Sequence, residues 1–346
     1  MAFTRKEAEE KILSSCLRLV ETGLIARTWG NISARLSDED FLITPSGRAY
    51  ETLTPEELVV VKIKDHSYEG DIKPSSEKGM HAELYKLRPE CDFIVHTHQT
   101  RASALSVYGE DFDLAEYGSQ VASEEERAIL GPVIPCAKYG LSSTEMLAKN
   151  VAKAAKRNPD SSTVLMKHHG AVTMGKDEEE AFRAAFALEA VAGRIYEKKC
   201  NQKIFEEAGE PKAWESIYGY MLHVKTSYIM EMSRRGRTVN AYLDDMAMIS
   251  GYSTDCIDDI HDEKAFRKAL YKRNAVLVKD NGAICVAPDK EEAEAVALVL
   301  EKNCFAANLA LKKALKPVAR VSAEIERNVY IKKYSRLKDA GGEENA

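Results

Sequence analysis

The sequence predicts a mixed α/β protein. Three observations carry this: a capped amphipathic helix at the N-terminus, a strand-rich stretch directly after it, and a strand–turn–helix unit that recurs later in the chain. Thr4 and Glu7 stand at capping-box spacing, and Ala8, Ile12, Leu13, Cys16, Leu17 and Val20 follow on one face until Gly23 stops the helix. Residues 31–36 and 41–44 read as short strands, with Pro45, Ser46 and Gly47 as a turn. Thr54 and Pro55 open a short helical turn before the β-branched run 58–63. Residues 74–87 read as a helix entered through Ser75 and Ser76, and 93–98 as a buried strand following Pro89.

Residues 164–196, VLMKHHGAVTMGKDEEEAFRAAFALEAVAGRIY, form the strand–turn–helix unit, with Asp177 and Glu180 at the spacing of a capping pair. From Val276 the chain reads VLVKDNGAICVAPDKEEAEAVALVLEKNC, which aligns without a gap at an offset of about 112 residues. Lys167 then matches Lys279, Gly170 matches Gly282 and Asp177 matches Asp289. Repetition of turn and capping residues together with apolar ones marks an internal duplication. At the informative position His168 and His169 have become Asp280 and Asn281, and nothing in the second copy matches the segment 31–98. The second copy therefore reads as a smaller, degenerate α/β repeat over 213–335, behind a first domain over 1–205. The polar segment 201–212, with Gly209 and Pro211, reads as a linker, and 338–346 as a disordered tail.

A length of 346 residues allows one large domain or two smaller ones. The balance of 49 basic and 55 acidic residues gives a net charge of −6 without a long basic block, which argues against nucleic acid as a partner. No apolar run approaches the roughly 18 residues that span a bilayer, and MAFTRKEAEEK lacks the apolar core of a secretory signal. The expectation is a cytoplasmic protein with no membrane partner. Seven scattered cysteines without a CxxC pair read as reduced core residues.

Side chains at i and i+2 of a strand share a face, so His96 and His98 in IVHTH can reach one ion, although such a pair is also common as hydrogen-bonded histidines. HHG at 168–170 brings a further imidazole to a turn. Three neutral histidines leave a zinc-type ion an open coordination position, as catalysis requires. Upstream, PSSE at 74–77 places Ser75 and Ser76 at a helix start, where their hydroxyls suit either plain N-capping or a phosphate. Glu77 in the first turn is favoured by the helix dipole whatever it does; its company with the histidines makes it a candidate acid or base.

Five motifs occur in a fixed order: GLIARTWGNIS (23–33), LITPSG (42–47), PSSE, HTH and HHG, with IPCAKY (134–139) as a further local match. In this order and at this spacing they resemble the class II aldolase and adducin family over about residues 5–205. The resemblance implies a three-layer α/β/α sandwich around a largely antiparallel sheet, usually assembled as a tetramer with active sites between subunits, so the chain is expected to be a homo-oligomer. It also implies that His96, His98 and His169, the histidine directly before Gly170, bind Zn2+, with Mn2+ as the other candidate. By the same resemblance Thr28, Asn31, Ser46, Gly47, Ser75 and Ser76 bind a substrate phosphate, and Glu77 is the acid/base. Tyr117 is the best match to a family tyrosine that reaches a neighbouring subunit's site, in a segment that departs from the family by an insertion around 121–131. Trp29 stands in the phosphate loop where the aldolases commonly have a smaller residue.

The activity so implied is that of an aldehyde-lyase: cleavage of a ketose 1-phosphate, the small-molecule partner, into dihydroxyacetone phosphate and an aldehyde. The ion would act as a Lewis acid toward the enediolate. Glu77 would return a proton to C3, which calls for a carboxyl pKa raised by burial, and Tyr117 would handle the proton of the C4 hydroxyl. A methylthioribulose-phosphate dehydratase keeps the same histidines and a similar glutamate and is the alternative. A pentulose-5-phosphate 4-epimerase typically has aspartate at the position of Glu77, so PSSE argues against it. The non-enzymatic alternative, an adducin-like interaction module, loses the histidines that the first half keeps and the second half lacks. For the second half a non-catalytic packing role is expected, with an oligomer different from the usual tetramer.

Overall fold

The computed structural model describes residues 2–25, 29–205 and 208–333. Thr28 and the tail 338–346 lie outside the described residues. The chain divides into two compact units, Met1–Tyr196 and Glu197–Ala346.

Helix α1 (Arg5–Glu21) opens on the expected capping box of Thr4 and Glu7 and buries Ala8, Ile12, Cys16 and Leu19. Leu17 departs from the expectation: it is 45% exposed. At about 100° per residue it lies nearly half a turn from Ala8, and Leu19 takes the inward position instead. Strands β1 (Gly30–Arg35), β2 (Asp40–Ile43) and β3 (Val59–Lys62) form a meander, after which helix α2 (Lys78–Leu87) leads into β4 (Phe93–Thr97). α2 starts four residues later than its sequence pattern suggests. Residues 73–76 instead run extended beside the 44–46 loop, with Ser46 N donating to Lys73 O and Ser75 N to Thr44 O, both at 2.9 Å.

After α3 (Thr100–Ser106), β5 (Phe112–Asp113), α4 (Glu124–Leu130) and β6 (Val133–Ile134) come β7 (Cys136–Ala137) and α5 (Glu145–Arg157). The unit read as strand, turn and helix contains two strands, β8 (Thr163–Met166) and β9 (Gly170–Gly175), ahead of α6 (Glu178–Cys200). β9 escaped notice because it is buried on both faces and shows no polar alternation. The sheet order is β3-β2-β1-β4-β9-β8-β7, antiparallel except for β7 beside β8. α2 and α5 cover one face through Met80, Leu84, Leu147 and Val151 against Ile94 and Val172. α1, α3 and α6 cover the other, which holds Ile32, Phe93, Val95 and Ala171. The three-layer sandwich implied by the resemblance is what forms.

Alternation along β1 sends Ile32 and Ala34 into the α1 side and leaves Asn31, Ser33 and Arg35 facing α2. Arg35 is buried there. Its guanidinium donates to the carbonyls of Cys91, Tyr85 and Arg88, each at 2.9 Å, lies 3.2 Å from Asp92 and covers the ring of Tyr85. Donors to charged groups in a dry interior are costly to orphan.

The second unit contains β10 (Lys212–Ser216), β11 (Gly219–Val224), α7 (Ser227–Arg234), β12 (Val239–Asn240), α8 (Asp244–Ser250), β13 (Ser253–Thr254), β14 (Cys256–Ile257), α9 (Glu263–Ala269), β15 (Ala275–Val278), β16 (Ala283–Ala287), α10 (Lys290–Lys313) and α11 (Arg320–Lys333). Its sheet runs β10-β11-β16-β15-β14, with only β14 and β15 parallel. The pairing repeats that of the first unit residue for residue: His96 faces Val172 and His223 faces Ile284, while Cys136 faces Leu165 and Cys256 faces Leu277. Glu189 of α6 accepts from the N–H groups of Arg101 and Ala102, and Glu301 of α10 from those of Tyr228 and Ile229. Each carboxylate thus satisfies the open start of the helix after the central strand.

These correspondences amend one expectation. The sheet does provide neighbours equivalent to β1 and β4, namely β10 and β11; among the described residues α1, α2, β2 and β3 have no equivalent. α4 has an equivalent in α8, and both end on a glycine of positive φ, Gly131 and Gly251.

Replacing Arg35 with Met is expected to cost about 3–5 kcal/mol of unfolding free energy, because it deprives Asp92 and three carbonyls of their buried cation. Urea unfolding of Arg35→Met against the parent chain measures this; an unchanged midpoint would show the cluster to be energetically neutral.

Candidate functional site

His96 and His98 lie on the α2 side of β4 by the same alternation that places Ile94 there. His169 arrives from the turn between β8 and β9. Gly170 sits so close to β4 that a side chain there would strike the carbonyl of Thr97, so glycine is required. His168 takes the left-handed corner of the turn at φ 65°, with its ring edge-on to Tyr139, and so shapes the turn that aims its neighbour. Asp280 occupies the same corner in the second unit at φ 56°.

The three imidazoles are buried, 0%, 8% and 2% exposed, and one nitrogen from each lies within 4.8 Å of the others. His96 and His98 bring their Nε2 atoms to 3.0 Å. His96 Nδ1 donates to the carbonyl of Ala171 at 2.8 Å, which leaves Nε2 with its lone pair toward the group. Ser142 Oγ stands 3.2 Å from His169 Nδ1 and does the same for that ring. Lone pairs converging in a dry pocket repel unless a cation lies between them, so the donor set fits a divalent metal ion held by three neutral histidines.

Glu77 occupies the N-cap position of α2 but makes no cap hydrogen bond. Its carboxylate turns to the histidines: Oε1 is 3.1 Å from His169 Nε2 and Oε2 is 3.1 Å from His96 Nε2. Burial works against its charge, but positive charge on the two facing imidazoles favours it and holds the carboxyl well below its usual range; an ion bound at their nitrogens would act in the same sense. Glu77 rests as a carboxylate, ready to accept a proton.

Behind Glu77 runs a polar seam that the sequence reading missed. Asn31 Nδ2 donates to Glu77 Oε2 at 2.9 Å, and Asn31 Oδ1 lies 2.5 Å from His81 Nε2. His81 Nδ1 is 2.6 Å from Ser33 Oγ, which is 2.8 Å from the hydroxyl of Tyr85. Burial drives the His81 pKa down to about 3, so the ring is neutral. The signal was available as Glu77, His81 and Tyr85 at intervals of four along α2, facing the alternate polar residues of β1.

Of the residues assigned to phosphate, Ser46, Ser75 and Ser76 lie on the two loops joined by the bridge between Pro45 and Pro74, and Gly47 continues the first loop at φ 75°. Ser75 Oγ accepts from Glu77 N, and Ser76 Oγ from the hydroxyl of Ser143 at 2.7 Å. Asn31 is tied to Glu77, and Trp29 is half-buried. A cavity of about 480 Å³ takes in Ser76 and Glu77, with His66, Lys86, Ser143 and Lys149 among its walls. Tyr117 is buried within its own unit, in the cluster of Phe112, Leu114, Val121 and Leu130.

The sequence profile described as Class II Aldolase and Adducin N-terminal domain matches residues 10–196. A 5-methylthioribulose-1-phosphate/5-deoxyribulose-1-phosphate aldolase of Escherichia coli O45:K1 is 34% identical over 188 residues, covering 54% of this chain and 83% of that protein. The L-fuculose phosphate aldolase of Haemophilus influenzae is 32% identical over 190 residues, 55% of this chain and 82% of its own length. Among solved structures, an L-fuculose 1-phosphate aldolase superposes with a TM-score of 0.50 at 30% identity, covering 56% of this chain and 87% of its own. No helix among the described residues is long and apolar enough to cross a membrane.

Two outcomes follow from the geometry. His98→Ala and His169→Ala are expected to weaken metal binding by at least about tenfold, read as metal content after dialysis against a buffered ion; full retention would exclude the site. His81, neutral in the fold, takes up a proton near pH 6.5 only when the chain unfolds, so its contribution to stability is lost as pH falls from about 6.5 to about 3. Over that window His81→Gln should flatten the dependence of unfolding free energy on pH by up to about 1.4 kcal/mol per unit.

Proposed function

The chain belongs to the class II aldolase and adducin family, and on that premise we propose that residues 10–196 form a metal-dependent aldolase cleaving a ketose 1-phosphate to dihydroxyacetone phosphate and an aldehyde. The observation that carries the reading is the Glu77 carboxylate, 3.1 Å from two of three buried, convergent imidazoles. The named substrates of the relatives, 5-methylthioribulose 1-phosphate, 5-deoxyribulose 1-phosphate and L-fuculose phosphate, supply the substrate class.

His96, His98 and His169 would hold the ion, zinc by preference for this donor set, which supplies Lewis-acid stabilisation of the enediolate. Ser46, Gly47, Ser75 and Ser76, joined by Thr28 and Asn31, would take the phosphate with hydroxyls and loop N–H groups. Glu77 would take the C3 proton in the condensation direction, for which the carboxylate is the right resting form, and return it in cleavage. Tyr117 is carried over as the group for the C4 hydroxyl of a neighbouring chain's substrate, which makes the active form a homo-oligomer. The second unit would be a degenerate, non-catalytic repeat: Asn281 stands where His169 does, and among the described residues no helix between β10 and β11 supplies an equivalent of Glu77.

The test is release of dihydroxyacetone phosphate by zinc-loaded and manganese-loaded protein from a panel of ketose 1-phosphates. Glu77→Ala is expected to lower kcat by about 10²–10⁴-fold, and Tyr117→Phe to lower it while the fold persists. Loss of water from the same substrates without dihydroxyacetone phosphate would replace the aldolase by the dehydratase.

A further inference from the structure

The resting direction of every hydrogen bond in the seam between β1 and α2 is fixed by one group. We propose that His81 is a positioning residue that selects the orientation of the Asn31 amide and thereby aims the Glu77 carboxylate at the histidine group; this rests on Glu77 being the acid/base.

The seam is buried throughout, so its donors and acceptors must match one another. Asn31 presents its NH2 to Glu77 Oε2 at 2.9 Å, so that oxygen accepts. Asn31 Oδ1 then faces His81, and His81 must carry its proton on Nε2. Nδ1 is left as an acceptor for the Ser33 hydroxyl, whose oxygen in turn accepts from Tyr85. Each hydrogen is used once, from Tyr85 to Glu77. In the other tautomer the lone pair of Nε2 faces Asn31 Oδ1, two acceptors 2.5 Å apart, or the amide turns its oxygen on the carboxylate. Neutrality of the buried ring removes the third choice, a doubly protonated imidazole that would face Ser33 as a donor.

Tyr85 is itself held: the Arg35 guanidinium covers its ring and binds its carbonyl. The far end of the seam is therefore rigid. At the near end, Asn31 occupies Oε2 of Glu77 and leaves Oε1 beside His169, so the plane of the carboxylate follows from the amide. An acid/base displaced by about 1 Å loses on the order of 10²-fold in rate, with little consequence for substrate affinity.

Two variants and one spectrum test this. His81→Leu removes both polar contacts; His81→Gln keeps a side-chain amide donor where Nε2 stands. The expected result is a fall in kcat of about 10–100-fold for His81→Leu, with KM within about twofold and metal content unchanged, and recovery to within about fivefold in His81→Gln. Equal losses in both variants, or none in a folded His81→Leu, would overturn the proposal. Long-range 1H–15N spectra of histidine-labelled, metal-loaded protein, with His81 assigned by its absence in His81→Gln, must show the Nε2–H form. The Nδ1–H form would refute it whether or not the chain cleaves ketose phosphates, and Nε2–H in a protein inactive on the whole panel would sink the aldolase reading while leaving the seam's proton order standing.

Discussion

The site depends on the register of β4 between its two neighbours. His96 pairs with Asn31 on one side and Val172 on the other. That alignment sets the Asn31 amide beside Glu77 and brings the turn before Gly170 alongside the end of β4. A slip of one residue in either pairing would turn His96 to the opposite face of the sheet, since side chains alternate with period two. The closeness of Gly170 to Thr97 and of Gly30 to His96, where a Cβ would lie 2.6 Å from the carbonyl, leaves the strands no room to slide. Burial of the apolar alternates, Phe93, Ile94 and Val95, supplies the energy that holds this register.

Within that frame the chemistry is divided between rigid and adjustable parts. The histidines come from a strand and a tight turn, whereas Glu77 lies at the last residue before a helix and has given up its capping role. A residue freed from the backbone needs another restraint, and the polar residues of β1 provide it. The price of such a seam is the desolvation of several polar groups, offset only if every one is paired. The same logic explains why the Arg35 cluster lies at its end: guanidinium donors satisfy the carbonyls that close the loop between α2 and β4.

Much of this was legible in the sequence because it rests on local pattern. The α1 capping box, the histidines of HTH and HHG, and the repeated Asp177 and Asp289 each express a spacing of one to four residues. What escaped needed knowledge of which face meets which. β9 carries no alternation to betray it; Leu17 is an apolar residue on the outer side of α1, opposite Ala8; and His81 looks like an ordinary helix residue until β1 is laid beside α2. The electrostatics of Glu77 were not legible either, because they depend on which side chains face it across the sheet as well as on its burial.

In the second unit β10 turns directly into β11, where the first unit interposes β2, β3 and α2. The difference is one of missing scaffold and not only of altered ligands. Writing histidines back at Asn281 and Lys225, beside His223, could rebuild a place for an ion, but no point substitution there can restore a helix to present the carboxylate or the loops to seat a phosphate. Point substitution alone therefore cannot turn this sheet into a copy of the first unit's site.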